Sequence, residues 1–328
     1  MSGKRNYLKY VAIVLAVVFL VAAALLALSL WESRQGQYSE VSTEDGVLTH
    51  NGKEYVLKSD IETFLVLGLD KYENTTSVNS GENGVRADFL MLFVFNNNTK
   101  QCSAIHINRD TMTSVNMLGI GGTKVDTLTK QISLAYSYVA DENDKVKCGN
   151  TKDAVEKLLC DIDVNHYFSM TMDCVAPMND LVGGVEVTVL DDFSSVDPSL
   201  VKGEKVTLMG EQALRYVRSR YGLDDSSNNA RMARQQQYIN ALYQKTLSLM
   251  EADEEFALKF ADTLDEYVVY DSSNEKMKKF AEKIDEYEFL GIKELKGETK
   301  AGERFIEFYP YQDALLNLVI ETFYIPKE

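Results

Sequence analysis

Apolar positions along the chain fall into short runs that alternate between strand-like and helix-like spacing. Residues 64–69, FLVLGL, form a continuous apolar run that predicts a buried strand, with Asp70 at its end. Residues 88–95, DFLMLFVF, and 102–108, CSAIHIN, predict two more strands joined by a turn at 96–100. Opposed residues of an antiparallel pair keep a constant sum of residue numbers, so if Asn96 faces Gln101 then Asp88 faces Arg109. Arg86 precedes Asp88 by two residues and so shares its side of the sheet.

Further on, Leu128, Ile132 and Ala135 recur at helical spacing and predict a helix over 124–139, and residues 151–160 predict another. Strands are expected at 166–172 and 184–190. A short helix over 173–182 lies between them, closed by the tight turn Gly183–Gly184. Leu214 and Val217 mark one face of a helix over 211–217. A second helix starts at a cap on Asn228 or Asn229 and carries Met232, Ile239, Leu242 and Leu249 on one stripe. Residues 256–264, 274–287 and 311–323 read as helical and 304–309 as extended. Strands and helices interleave without a repeat or a low-complexity linker, which predicts one mixed α/β domain.

The longest apolar run precedes all of these. Residues 11–30 are uncharged and of bilayer-spanning length, and Lys4, Arg5 and Lys9 stand before them. The positive-inside rule then puts residues 1–10 in the cytoplasm, a single transmembrane helix at 11–30 and everything after Trp31 outside the cell. A cleaved signal peptide is the rival reading, though its apolar region is ordinarily shorter. Residues 31–60 are polar and read as an extracellular stalk with a short hairpin at Asn51 and Gly52. The folded domain is expected over 61–328, its motifs within 63–246 and an acidic portion over 247–328.

With 50 acidic against 34 basic residues the net charge is -16, which argues against nucleic acid as a partner. Such a chain has no general need of arginine, yet Arg215, Arg218, Arg220, Arg231 and Arg234 crowd into one segment. Pairing with surface carboxylates accounts for any one of them; the set points to an anionic ligand. Cys102, Cys148, Cys160 and Cys174 allow two disulfides in three connectivities, or four free thiols.

Neither a G-x-S-x-G elbow nor a Gly-rich phosphate loop occurs, and His106 lies within an apolar strand as a packed core residue would. Carboxylates and arginines remain: Asp70 and Asp88 at strand ends, Arg86 and Arg109 beside them, and the later arginine cluster. Guanidinium forks hold phosphoryl oxygens in pairs, and carboxylates hold a Mg²⁺ that offsets charge on a leaving group, so the set suits a diphosphate. A structural salt bridge between Asp88 and Arg109 fits the same residues.

Six motifs in order carry a resemblance: FLVLGLD at 64–70, VRADFLML at 85–92, INRDT at 107–111, KQISLAYSY at 130–138, DLVGGVEV at 180–187, and GEQALRYVRSR at 210–220 followed by RMARQQQ. Together they resemble the LytR-CpsA-Psr family of cell-wall phosphotransferases. The resemblance implies an α/β/α sandwich around a central mixed, largely antiparallel sheet, a Gram-positive host and an apolar pocket for a polyprenyl chain. It implies an enzyme that moves a glycopolymer from an undecaprenyl diphosphate carrier onto peptidoglycan. On that pattern Asp88 is the key acid, as a Mg²⁺ ligand or in activating the acceptor hydroxyl, and Asp70 the second metal-linked carboxylate. Arg86, Arg109, Arg218, Arg220, Arg231 and Gln235 hold the diphosphate. Two positions depart from the family pattern: Tyr72 stands where Arg is common, and Asn228 where Asp is frequent, with Asp224 and Asp225 nearby. A non-catalytic protein that binds the lipid carrier or the wall, and a hydrolase of the lipid-linked diphosphate, are the alternatives.

Overall fold

The computed structural model describes residues 42–44, 47–70, 84–220, 222–226, 228–253, 255–271 and 286–327. The expected membrane helix, the loop carrying Tyr72 and most of the helix expected over 274–287 lie outside the described residues. Within the described residues no helix is long and apolar enough to cross a membrane. The chain divides into two compact units, here called the sheet unit (28–170, 269–272 and 286–328) and the helical unit, whose described part is 171–268.

The sheet unit opens with β1 (Ser42–Glu44), β2 (Val47–His50) and β3 (Lys53–Leu57). Asn51 and Gly52 both take positive φ, 51° and 72°, as a two-residue hairpin turn requires. Residues 47–57, within the expected stalk, thus form two paired strands. The reason lies far along the chain: β3 pairs with a strand at 324–326, and Leu48 is fully buried in the core. Short polar strands need a partner and one apolar anchor, and neither shows in a local window.

Next come β4 (Ile61–Leu69), β5 (Ala87–Asn96), β6 (Gln101–Ile107), β7 (Met112–Leu118) and β8 (Lys124–Gln131), then helix α1 (Asp144–Leu158) and β9 (His166–Thr171). Asn143 caps α1, its side chain accepting from the Lys145 N–H at 2.9 Å. The helix expected over 124–139 is not there. Its first half is β8, antiparallel to β7, and its second half a 3-10 turn over Ile132–Tyr136. Val125, Thr127 and Thr129 are stiff at Cβ and favour a strand, and β8 is mostly exposed, so it needs no continuous apolar face.

The helical unit holds α2 (Val175–Leu181), β10 (Val185–Thr188), β11 (Lys205–Leu208), α3 (Gly210–Arg218), α4 (Asn228–Ala252) and α5 (Phe256–Asp265). Gly183 and Gly184, at φ 72° and 87°, turn α2 into β10. A Cβ on Gly184 would meet the Leu208 carbonyl at 2.9 Å, so glycine is required there by both conformation and space. Asn179, fully buried, donates to the Leu208 carbonyl at 2.8 Å and accepts from Tyr238 Oη at 3.1 Å, tying α2 to β11 and α4.

The chain then forms β12 (Val268–Tyr270), β13 (Glu288–Glu294), β14 (Gly297–Ala301), β15 (Ile306–Pro310), α6 (Gln312–Phe323) and β16 (Tyr324–Pro326). The main sheet has the order β12-β9-β4-β5-β6-β13. The β4–β5 and β5–β6 pairs are antiparallel and β13 joins β6 in parallel, so the class is mixed α/β with a central mixed sheet. All four cysteines are free thiols.

Candidate functional site

The β5–β6 register runs from Asn96 opposite Gln101 to Leu90 opposite Ile107. Extending it two residues beyond the ladder brings Asp88 to Arg109, and the two meet in an ion pair between Arg109 Nη1 and Asp88 Oδ1. Both residues are buried, at 7% exposure each. A buried pair of this kind is strongly held once formed, because removing either partner strands the other charge away from water.

On its other edge β5 carries a bulge. Gly68 pairs with Phe89 and Leu69 with Ala87, so Asp88 has no counterpart on β4. The bulge needs a close backbone approach: a Cβ on Gly68 would lie 2.9 Å from Phe89 Cβ. Bulges re-aim side chains, and here the extra residue is the carboxylate itself. Asp70 is placed just past β4, where its N–H donates to the Arg86 carbonyl at 2.8 Å.

Arg86 completes the group. Its guanidinium stacks 4.6 Å above the Phe305 ring. Burial pulls its pKa below the usual arginine value and the neighbouring Arg109 adds to this, while Asp88, Asp110 and Asp70 act in the opposite sense. Two cations and three carboxylates of one unit therefore share a single electrostatic neighbourhood.

Three supporting residues were missed in the sequence. Asp110, 4% exposed, lies 3.4 Å from Arg109 Nε, and accepts a hydrogen bond from Gln131 Nε2 at 2.9 Å. Gln131 in turn donates to the Ile306 carbonyl at 2.7 Å. Asp110 and Gln131 fall inside the INRDT and KQISLAYSY motifs, so the strings contained them, but nothing in their spacing gave them a role. Phe305 carried no signal.

In the helical unit the arginines divide by task. Arg234 is fully buried: its Nε donates to the Tyr216 carbonyl at 3.0 Å, and its two terminal nitrogens reach Asp191 Oδ2 and the Ser219 carbonyl. Its guanidinium also lies 5.5 Å from the Phe193 ring, which stacks on Tyr216. It is thus committed to the end of α3 rather than to a ligand. Gln235 Nε2 donates to the Val217 carbonyl at 3.2 Å, and Arg215 Nε sits 3.5 Å from Asp197. Arg218 closes the last turn of α3, Arg220 follows two residues later, both half-buried, and Arg231 is buried in the first turn of α4. Asn228 begins α4, and Asp224 accepts from the Asp192 N–H at 2.9 Å and from Lys202 at 2.5 Å.

Among the described residues no three His, Cys, Asp or Glu side chains stand close enough to hold a metal by themselves. Mg²⁺ does not need such a cage. It is commonly bound by one or two carboxylates with phosphate and water oxygens, and Asp70 and Asp88, which share the electrostatic neighbourhood of Arg86 and Arg109, are carboxylates of that kind.

The LytR_cpsA_psr family model matches residues 30–317. Biofilm regulatory protein A of Streptococcus mutans is 26% identical over 258 residues, covering 74% of this chain and 58% of that protein. The polyisoprenyl-teichoic acid–peptidoglycan teichoic acid transferase TagU of Enterococcus faecalis is 29% identical over 250 residues, covering 76% and 73%. The chain thus spans less than two thirds of the first of these relatives. Among solved structures, Bacillus subtilis TagV aligns with a TM-score of 0.55 at 21% identity, covering 81% of this chain and 98% of that one. TagT bound to LI-WTA aligns at 0.54 and 22%, covering 80% and 90%. These structures share the fold.

Proposed function

The chain belongs to the LytR_cpsA_psr family, and on that premise we propose that it transfers a glycopolymer from a polyprenyl diphosphate carrier to peptidoglycan through a phosphodiester bond. The observation that carries the reading is the buried Asp88–Arg109 pair with Arg86 in the same electrostatic neighbourhood. A salt bridge built only for stability needs neither a second arginine nor a carboxylate raised on a bulge.

In the reaction an acceptor hydroxyl of peptidoglycan attacks the phosphorus that bears the glycan. A new P–O bond forms, the bond to the bridging oxygen breaks, and polyprenyl monophosphate leaves. The hydroxyl proton passes to the Asp88 carboxylate and from there to solvent. Arg86 and Arg109 hold phosphoryl oxygens and offset the charge that builds on them. Arg218, Arg220, Arg231 and Gln235 are assigned to the diphosphate from their family positions. Asp70 and Asp88 would hold Mg²⁺, which when bound supplies Lewis-acid neutralisation of the leaving group. Residues 11–30 anchor the chain in the cell membrane with residues 1–10 in the cytoplasm and the enzyme outside.

The test is turnover of a polyprenyl diphosphate-linked glycan by the full chain in detergent, with peptidoglycan oligomers as acceptor, with and without chelator. The expected result is a glycan–peptidoglycan adduct that needs the metal and is absent in Asp88→Asn. Tight carrier binding with neither adduct nor released polyprenyl phosphate would leave a binding protein. Polyprenyl phosphate without adduct would leave a hydrolase.

A further inference from the structure

Phe305 sits in the loop 302–305 that closes the β14–β15 hairpin, whose last rung pairs Ala301 with Ile306. A hydrogen bond from the Gly302 N–H to the Phe305 carbonyl, at 2.9 Å, shuts the loop. A large aromatic side chain is expected to pack into the core, as Phe308 does three positions on at 8% exposure. Phe305 is instead half-buried and borders a cavity of about 190 Å³, so tight packing does not account for it.

What the ring faces is a charge. The guanidinium carbon of Arg86 lies 4.6 Å from its centre, well inside cation–π range. Stacking fixes the plane of a guanidinium and uses none of its N–H donors, which lie in that plane. Asp88, Asp110 and Asp70 attract the Arg86 charge and Arg109 repels it. Such forces act on where the charge sits far more than on how the fork is turned. Paired contact with phosphoryl oxygens depends on the turn as well, because the edge of the fork has to face them.

The hairpin that carries the ring is fastened to the residues beside Arg109. The Phe308 N–H donates to the Asp110 carbonyl at 2.9 Å, and Phe308 forms a parallel bridge with Thr111. Gln131 Nε2 spans the Ile306 carbonyl at 2.7 Å and Asp110 Oδ1 at 2.9 Å, and the same Oδ1 lies 3.4 Å from Arg109 Nε. The Arg86 backbone is tied separately, its carbonyl accepting from the Asp70 N–H at 2.8 Å. One frame thus sets Arg109 through Asp110 and Arg86 through Phe305.

We infer that Phe305 is a positioning residue: its ring turns and holds the Arg86 guanidinium so that Arg86 and Arg109 meet the phosphoryl oxygens of the substrate together. The inference rests on the transferase reading for the reaction it serves. It adds a residue from the far C-terminal part of the chain that acts on the substrate only through Arg86.

The test is a double-mutant cycle on the full chain in detergent, read by kcat for transfer and by affinity for inorganic pyrophosphate. Phe305→Leu keeps apolar bulk and removes the π face, Phe305→Tyr keeps the face, and Thr299→Ala, exposed on β14 of the same hairpin, is the control. Phe305→Leu is expected to lower kcat about tenfold to a hundredfold, the scale of a slightly misplaced catalytic group, and to weaken pyrophosphate binding. Phe305→Tyr and Thr299→Ala should stay near wild type in both. In an Arg86→Ala background Phe305→Leu should change neither, because the ring acts only through that guanidinium. Losses of the same size with and without Arg86 would overturn the inference, since a ring that served stability alone would act whether or not Arg86 was there. A loss of pyrophosphate affinity that disappears in Arg86→Ala would support the positioning role even if wild type made no adduct and the transferase reading fell. Turnover by wild type, with kcat and pyrophosphate affinity both unmoved by Phe305→Leu, would sink the positioning role while leaving that reading intact.

Discussion

Arg109 and Asp88 form a buried ion pair two residues past the last hydrogen-bonded rung of the β5–β6 hairpin. The pairing follows from the turn at 97–100, because the four-residue loop fixes every opposition along both strands. A carboxylate and a guanidinium are thereby brought opposite one another just past the β5–β6 ladder, with the β4–β5 bulge on the far side of Asp88.

Replacing Asp88 by Asn keeps the shape and removes the charge. Transfer is expected to fall by roughly 10²–10⁴, the usual worth of a positioned proton acceptor. Because Arg109 is left buried beside a neutral amide, the melting temperature should fall as well. Adduct formation and thermal denaturation, run side by side, separate the two effects.

Gly68→Ala tests the bulge. The added methyl would lie 2.9 Å from Phe89 Cβ, so backbone must move, at a cost of about 1–3 kcal/mol. Because the displaced residues flank Asp88, activity should fall more than stability alone explains. Residual activity well below the folded fraction at the assay temperature is the expected finding; activity that tracks the folded fraction would mean the bulge does not aim Asp88.

Arg234→Met should be the most destabilising of the arginine changes. It strands the Asp191 carboxylate and leaves the Tyr216 and Ser219 carbonyls without their donor. Breaking a buried pair from one side costs about 3–5 kcal/mol. Arg218→Ala, at a half-buried position, should leave denaturant stability nearly unchanged and lower carrier affinity. Calorimetry and carrier binding on both variants check the division.

His106, 4% exposed, packs against Phe89 with ring centroids 5.3 Å apart, and burial pulls its pKa from 6.5 down to about 4. Between those values the unfolded chain carries the proton and the folded one does not. Its contribution to stability is therefore complete above pH 6.5 and is lost as pH falls towards 4. Denaturation midpoints of His106→Leu should show a shallower decline over that window than wild type.

The sequence was most legible where partners are close in the chain. The strands at 64–69, 88–95 and 102–108, the turn between the last two and the Asp88–Arg109 opposition all follow from local period and a short loop. The β7–β8 pair was missed because an exposed ladder has no apolar stripe, and Leu128, Ile132 and Ala135 mimic a helix by chance. The parallel strand β13 pairs with a distant strand, and the local β14–β15 hairpin is placed by the bridge between Phe308 and Thr111, which sets Phe305 against Arg86. Composition marked the arginine segment but could not distinguish Arg234, committed to its own backbone, from Arg218 and Arg220.

The hydrogen bond from the Asp70 N–H to the Arg86 carbonyl closes the chain behind the stretch that joins β4 to β5. What leaves the sheet there rejoins it at the same point, so Asp70 and Arg86 keep their spacing whatever is spliced between them. Doubling such a connection adds only about 0.6 kcal/mol of closure entropy. A change in the number of residues between Asp70 and Arg86 is therefore expected to cost little stability.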